Sequence, residues 1–250
     1  MSRWYTCVPE PDLGPAPGLS VVVPAFNEAD RLPPSLETIL AYLRASGRTY
    51  ELIVVDDGSR DRTVEMVAAV GVGEGEMRLV KHPLNLGKGA AVRTGVLASR
   101  GEIVLFTDAD LSTPITDAEP LIRAIEAGAD VAIGSRAIDR SLVEVHQPIY
   151  RETMGRVFNL FVQALLLPGL HDTQCGFKAF RGDVGRELFA AMTSRGFEFD
   201  PEVLYRARRR GLAIREIAVH WRNSPDTRVS ATRDSARMFT SLFRVRRRVK

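Results

Sequence analysis

Hydrophobic residues along the chain alternate between two spacings, one typical of strands and one typical of helices. Short, nearly continuous apolar runs, each of strand length, occupy residues 19–24, 52–55, 77–80, 103–107 and 131–133. Amphipathic or helix-favouring stretches separate these runs, and the first of them places leucine and isoleucine on one helix face between Leu32 and Leu43, with Gly47 as its stop. Because strands of this kind belong to parallel sheets covered on both faces, we predict an α/β fold.

Polar or acidic residues directly follow most of the predicted strands. The five segments that follow the strands are 24–28, 56–59, 81–85, 108–110 and 134–136. In open parallel sheets, ligands bind at the carboxyl ends of the strands. We therefore expect these segments to line one site.

The pair Asp108 and Asp110, one residue apart at the end of the fourth strand, is the strongest chemical signal. Mg²⁺ or Mn²⁺ binds through one or two carboxylates together with phosphate oxygens and water, and such an ion stabilises a leaving diphosphate. The alternative is that the two acids cap the following turn through Ser112 and Thr113. The position of the pair favours the metal site.

Two further segments suit a nucleotide. Gly87 and Lys88 lie in a turn that opens a helix, where free N–H groups and a lysine can hold phosphate. Neither the P-loop pattern nor the dinucleotide-binding glycine pattern is present. Asp56 and Asp57 can accept hydrogen bonds from a base or ribose, whereas Ser59 or Asp61 is expected to cap the next helix.

Composition adds limits to this prediction. The chain has 250 residues, of which 45% are hydrophobic, as expected for one α/β domain with a C-terminal extension. The net charge is +3, and basic residues concentrate at 206–210 and 244–250, which indicates an anionic partner or a solvated helix face. Two distant cysteines, no secretory leader pattern and no apolar run of about 18 residues predict a reduced cytosolic protein without a spanning helix.

The motifs together resemble the family 2 glycosyltransferases. Segments 22–28, 54–61 and 108–110 carry this resemblance, and segments 85–93, 172–178 and 219–230 resemble the dolichyl- and polyprenyl-phosphate β-glucosyltransferases. The resemblance implies a GT-A fold, with a mostly parallel nucleotide-binding sheet flanked by helices. It divides the chain into an N-terminal arm (1–18), a glycosyltransferase domain (19–230, with nucleotide-sugar half 19–136 and acceptor half 137–230) and a basic C-terminal helix or tail (231–250).

The resemblance also implies inverting, metal-dependent transfer of a hexose, with glucose from UDP-glucose favoured, to a polyprenyl or dolichyl phosphate. Asp108 and Asp110 would hold Mg²⁺ or Mn²⁺, with Asp110 the more direct ligand. The residues expected to bind the nucleotide sugar are Pro24, Ala25, Asn27, Glu28, Asp56, Asp57, Gly87, Lys88, Asp108, Ala109 and Gln174. Ser112 stands where mannosyl relatives often carry glutamine, which favours the glucosyl type.

A phosphate acceptor is already an anion, so its attack needs positioning more than proton removal. We therefore expect Arg136 and Arg151 to bind the acceptor phosphate. Arg228 and Ser230 would close over the site, although a surface ion pair is the alternative for a lone arginine. Glu198 and Asp200 would act as general base for a hydroxyl acceptor, or would only orient the sugar; Asp200 also suits a helix N-cap before Pro201.

Residues 154–167 are unusually apolar. They suit peripheral contact with a membrane, aided by the basic tail, at its cytosolic face. A core helix or a homodimer contact is the alternative. Other functions left open are a GDP-mannose-dependent polyprenyl-phosphate mannosyltransferase, a family 2 enzyme with a soluble hydroxyl acceptor, and a non-catalytic nucleotide- or nucleic-acid-binding protein. The last is disfavoured, and no nucleic-acid partner is expected, because few aromatic residues accompany the basic ones.

Overall fold

A computed structural model describes residues 15–71, 76–145, 149–223 and 241–249. Within these ranges the strands are β1 (Leu19–Ala25), β2 (Tyr50–Asp56), β3 (Met77–Lys81), β4 (Ile103–Thr107), β5 (Val131–Ser135), β6 (Val143–Val145), β7 (Phe177–Arg181), β8 (Ile214–Ala218) and β9 (Trp221–Arg222). The α-helices are α1 (Leu32–Ala45), α2 (Thr63–Gly71), α3 (Lys88–Ala98), α4 (Ala118–Glu126), α5 (Ile149–Leu165), α6 (Gly182–Ala191), α7 (Phe199–Arg209) and α8 (241–248). Short 3₁₀ turns occupy Ile115–Asp117 and Arg140–Leu142.

The central sheet has seven strands in the order β3-β2-β1-β4-β7-β5-β8. Every neighbouring pair is parallel except those of β7, which runs antiparallel to both β4 and β5. A separate two-stranded sheet pairs β6 with β9. The prediction of a mostly parallel sheet flanked by helices is confirmed, and all five predicted strands are present, whereas β7 and β8 were not predicted.

Helices cover both faces of the sheet, as continuous apolar strands require. Side chains alternate along β1, so Val21 and Val23 pack in one core with α1 and α4, while Val22 packs in the other with α3. The second core also holds an aromatic group, in which the ring of Phe106 lies 5.7 Å from that of Phe199. The strands are thereby fixed from both sides, and their carboxyl ends carry the loops that form the site.

The loops after β1 and β2 are joined by hydrogen bonds. The backbone N–H of Asn27 donates to Ser59 Oγ at 2.8 Å, and the N–H of Arg60 donates back to Asn27 Oδ1 at 2.8 Å. Asn27 has φ +55°, a left-handed conformation that asparagine tolerates. Asp61 accepts the N–H of Thr63 at 3.0 Å, which confirms the expected cap at the start of α2.

The ends of the chain are described only in part. Residues 1–14 of the predicted arm and 231–240 of the predicted tail lie outside the described residues, so the predicted domain division stays a prediction. None of the helices in the described ranges combines the length and the apolar character that crossing a bilayer requires.

Candidate functional site

Asp108 and Asp110 leave β4 at the carboxyl edge of the sheet, with both carboxylates partly exposed. Asp108 pairs with Lys88 Nζ at 2.5 Å. Asp110 Oδ1 accepts the N–H of Ser112 at 3.0 Å, and Arg31 lies 3.8 Å from its other oxygen. Leu111 has φ +46°, so the chain turns sharply directly after the pair, while Ala109 between them is buried.

These two carboxylates fit a metal that is shared with a diphosphate. Among the described residues, no three side chains of the metal-binding acid, histidine and cysteine types converge. Mg²⁺ and Mn²⁺ commonly take only one or two protein carboxylates and complete their shell with phosphate oxygens and water. The donor set formed by Asp108 and Asp110 therefore suits an ion that arrives with its nucleotide.

Lys88 is the first residue of α3 and supplies the fixed positive charge of the site. Burial lowers the pKa of its ammonium group, but Asp108, Asp200 and Asp110 outweigh burial and hold the pKa above its ordinary value. Its Nζ also lies 5.8 Å from the ring of Phe197. Lys88 is thus a permanent cation beside the two carboxylates.

Asp57 supports the loop before α3 with both of its carboxylate oxygens. Its Oδ1 accepts hydrogen bonds from His82 Nδ1 at 2.7 Å and from the N–H of Leu86 at 3.0 Å. Its Oδ2 accepts the N–H of Gly87 at 2.8 Å. His82 is oriented in turn by Thr94, whose Oγ1 lies 2.9 Å from Nε2. Asp57 therefore supports this loop, and its expected contact with the donor stays a prediction.

The predicted phosphate cradle at Gly87 needs correction. The Gly87 N–H is taken by Asp57, and the N–H of Ala90 donates to the carbonyl of Arg195 at 3.1 Å. Gly87 has φ +103°, and a Cβ there would lie 2.5 Å from the same carbonyl oxygen. The glycine permits this close approach.

The predicted nucleoside residues lie together at the ends of β1 and β2. Pro24 and Ala25 end β1, and Asp56 is buried at the end of β2, where its carboxylate accepts the N–H of Ser59 at 3.3 Å. Glu28 forms two 2.7 Å hydrogen bonds with Arg31. Sequence reasoning missed Arg31, although its spacing three residues after Glu28 could have indicated the pair.

Arg136 follows β5 and is held by Asp172. Its Nε and Nη2 donate to the Asp172 carboxylate at 2.6 and 2.9 Å, and its backbone N–H donates at 3.0 Å. The guanidinium also lies 5.4 Å from the ring of Trp221. Burial lowers the pKa of Arg136, but Asp172 raises it well above its ordinary value. This arginine is a fixed cation with two of its side-chain nitrogens committed.

Residues 172–178, which carry one of the sequence motifs, run along the site. The N–H of Gln174 donates to Asp172 at 3.2 Å, so its backbone is held close to Arg136. A Cβ at Gly176 would lie 2.1 Å from Asp108 Oδ2, so this glycine packs directly on the carboxylate. Cys175 is buried, and burial raises the pKa of its thiol to about 11, as is typical of a packing residue and not of a reactive thiol.

Glu198 and Asp200, predicted together as candidate bases, are placed differently. Asp200 is buried and pairs with Lys178 Nζ at 2.5 Å. Burial raises the pKa of Asp200 more than Lys178 and Lys88 lower it. Glu198 lies on the wall of a separate pocket, with Oε1 3.4 Å from the N–H of Gly196. The role of either carboxylate as a base stays a prediction.

The remaining acceptor residues are not described in full. Arg151 lies in α5, but its side chain is not described, and Arg228 and Ser230 lie outside the described residues. Their predicted contacts with an acceptor phosphate stay predictions.

Comparison with known proteins identifies the family. The model of glycosyl transferase family 2 matches residues 20–189. The chain belongs to glycosyl transferase family 2. This membership confirms the predicted family and argues against the non-catalytic alternative.

Curated members of family 2 resemble the chain over most of its length. The dolichyl-phosphate beta-glucosyltransferase of Dictyostelium discoideum is 35% identical over 241 residues, covering 91% of this chain and 73% of that protein. The human protein of that name is 37% identical over 220 residues, with 83% and 68% covered. ALG5C of Trichomonas vaginalis, also so named, is 38% identical over 218 residues, with 83% and 65% covered. The chain thus spans about two thirds of the length of such relatives.

Solved structures confirm the predicted GT-A fold of this family 2 chain. Glucosyl-3-phosphoglycerate synthase from Mycobacterium tuberculosis, in complex with Mn²⁺, UDP and phosphoglyceric acid, superposes with a TM-score of 0.70 at 22% identity. That alignment covers 92% of this chain and 78% of the synthase. The same enzyme has also been crystallised with Mg²⁺ and UDP, with a TM-score of 0.68.

Proposed function

We propose that the chain transfers glucose from UDP-glucose to a polyprenyl or dolichyl phosphate. The observation that carries this proposal is that one segment contacts both halves of the site. Gly176 packs on Asp108 of the metal-binding pair, and Asp172 of the same segment fixes Arg136. The names of the curated relatives support the donor sugar and the lipid phosphate acceptor.

On the donor side, Asp108 and Asp110 would hold Mg²⁺ or Mn²⁺ together with the diphosphate. When bound, the ion would supply charge stabilisation for the leaving diphosphate. Lys88 keeps Asp108 in place at 2.5 Å, and Arg31 links Asp110 to Glu28. Asp56, at the end of β2, is the proposed partner of the nucleoside.

On the acceptor side, Arg136 would present the phosphate to the anomeric carbon. A phosphate oxygen uses a lone pair to form the new bond to that carbon, while the bond to the donor diphosphate breaks and its electron pair leaves with UDP. Attack opposite the leaving group inverts the configuration. Because the phosphate is already ionised, no side chain needs to remove a proton. The ion pair of Asp200 with Lys178 agrees with a supporting role for Asp200.

Helix α5 suits an acceptor with a long apolar chain. It buries Phe158 and Val162 in the core. The large apolar residues that it leaves exposed are Tyr150, Val157, Leu160 and Phe161. A helix with one apolar face in solvent can lie in the surface of a bilayer, and the basic residues at 244–250 add attraction to anionic headgroups. We infer peripheral contact through α5, at the cytosolic face.

A donor screen tests the proposal. The purified chain is offered UDP-glucose, UDP-galactose, UDP-N-acetylglucosamine or GDP-mannose with a short polyprenyl phosphate, with and without Mg²⁺ or Mn²⁺. We expect a lipid-linked glucose that requires the ion. Asp110→Asn is expected to lower turnover at least about 100-fold, as for other lost transition-state contacts. Asp183→Asn, on the exposed start of α6, is the matched control.

Three outcomes would contradict the proposal in different ways. A preference for GDP-mannose would overturn the donor. The absence of a lipid-linked product with every donor would overturn the acceptor. Full activity of Asp110→Asn would overturn the metal site.

A further inference from the structure

A second pocket lies between the α6–α7 connection and the C-terminal helix α8. Its lining residues are Thr193, Ser194, Arg195, Glu198, Ser241, Arg244, Val245 and Arg248. The metal-binding pair and Lys88 do not line it. Helix α8 is held over the pocket by Leu242, Val245 and Val249, which are buried in the second core.

The pocket has more positive than negative charge, with three arginines and Glu198 among its described lining residues. Arg244 and Arg248 are four residues apart and so share one face of α8, opposite Arg195 on the α6–α7 connection. No ion pair or hydrogen bond engages these three guanidinium groups within the described residues. Arg206 on the neighbouring helix α7, by contrast, is paired with Glu202 at 2.7 Å.

We propose that this pocket binds a phosphate group, either free phosphate or the phosphate monoester of a lipid headgroup. Among the described lining residues Glu198 is the one carboxylate, so three arginines leave an excess of positive charge there. Guanidinium groups match the oxygens of phosphate in two-pronged hydrogen bonds, and convergence from two elements surrounds the anion. The Ser194 hydroxyl adds a further donor at the wall.

A bound phosphate would join α8 to the back of the donor site. The carbonyl of Arg195 accepts the N–H of Ala90 in the first turn of α3, at 3.1 Å. The ring of Phe197, two residues on, lies 5.8 Å from Lys88 Nζ. Filling the pocket therefore fastens the C-terminal helix to the segment that packs on Lys88. This inference does not depend on the identity of the sugar or of the acceptor.

Calorimetric titration with inorganic phosphate tests the site, using two double variants of the same helix. Arg244→Gln/Arg248→Gln removes two pocket arginines, and Arg246→Gln/Arg247→Gln removes two exposed arginines that do not line the pocket. Both variants lose the same charge. We expect the first to bind phosphate at least about tenfold more weakly, which is about 1.4 kcal/mol, and the second to bind like the parent chain. Arg195→Gln, on the opposite wall, is expected to reproduce the loss without touching α8.

Vesicles distinguish the two sources of phosphate. Phosphatidic acid exposes a phosphate monoester, and phosphatidylglycerol exposes a diester at matched surface charge. If the Arg244→Gln/Arg248→Gln variant binds phosphatidic acid vesicles more weakly but phosphatidylglycerol vesicles normally, the ligand is a lipid headgroup. If that variant loses binding only to inorganic phosphate, the ligand is the free anion. Equal behaviour of the two double variants in both assays overturns the proposal. If the Arg244→Gln/Arg248→Gln variant has a lowered melting temperature, Arg195→Gln takes its place in the test. Parent-like phosphate binding by Arg195→Gln would then overturn the proposal.

Discussion

Replacing Gly176 with alanine is expected to disable the donor site while leaving the fold intact. A Cβ at this position would lie 2.1 Å from Asp108 Oδ2 and 2.5 Å from its Cγ. The conflict is therefore with the carboxylate of Asp108, and the three nearest atoms all belong to that side chain.

The size of the effect follows from these distances. A close carbon–oxygen contact is about 3.3 Å, so the Asp108 oxygen must move by about 1.2 Å from its present 2.1 Å. That movement breaks the 2.5 Å pair with Lys88 and shifts a proposed metal ligand. Misplacement by about 1 Å can cost about 100-fold in rate. Stability should change by about 1 kcal/mol or less, because Asp108 is 34% exposed and its pair is partly screened.

Two measurements check Gly176→Ala. Mn²⁺-dependent binding of UDP is followed by calorimetry, and glucose transfer to a polyprenyl phosphate is followed by product formation. Gly155→Ala in α5 is the matched control, since its Cβ would meet no atom within 4 Å. Parent-like UDP affinity and turnover in Gly176→Ala would refute the reasoning about Asp108. A melting temperature lowered by more than about 4 °C would show that the substitution destabilises the fold instead of moving only the Asp108 side chain.

Three further predictions concern stability and membrane contact. Lys178→Met leaves buried Asp200 without its partner and should destabilise the fold by about 3–5 kcal/mol at pH 7. In urea titrations this loss should shrink at lower pH, because burial raises the pKa of Asp200 and protonation removes its charge. Adding Asp200→Asn should recover part of the lost stability. Hydrogen bonds from Ser194 and Arg206 outweigh burial and lower the pKa of Glu202, so Glu202→Gln should cost about 2 kcal/mol at pH 7, a difference that disappears as pH falls below the ordinary glutamate value of 4.5. Leu160 and Phe161 are 63% and 47% exposed, and replacing both with serine should weaken vesicle flotation about tenfold; unchanged flotation would exclude α5 from the contact.

The strands β1, β2, β4 and β5 could be predicted because burial on both faces makes most residues of each strand apolar. β7 was not predicted, because sequence alone does not lead us to expect a buried lysine such as Lys178. Lys178 is buried with its ammonium group bonded to the carbonyl of Cys175 and paired with Asp200, which lies 22 residues away. A local pattern does not contain that partner, so the antiparallel strand was missed.

The same difference between a local sequence pattern and distant partners applies to the carboxylates of the site. Asp108 and Asp110 could be placed from their position after a strand, since that position alone fixes the edge they occupy. The role of Asp57 could not be inferred in this way, because its partners His82 and Gly87 lie 25 and 30 residues away. A carboxylate that faces a ligand and one that holds a loop have the same sequence signature until those partners are known.

The direction of β7 explains why the two halves of the site meet. In a fully parallel sheet, the residues before a strand lie at the edge opposite the ligand. Because β7 is antiparallel, its first residue, Phe177, pairs with Thr107 at the carboxyl end of β4. The segment before Phe177 therefore enters the site between β4 and β5, where Gly176 meets Asp108 and Asp172 meets Arg136. One reversed strand thus places the carboxylate proposed to bind the donor and the arginine proposed to bind the acceptor around a single segment.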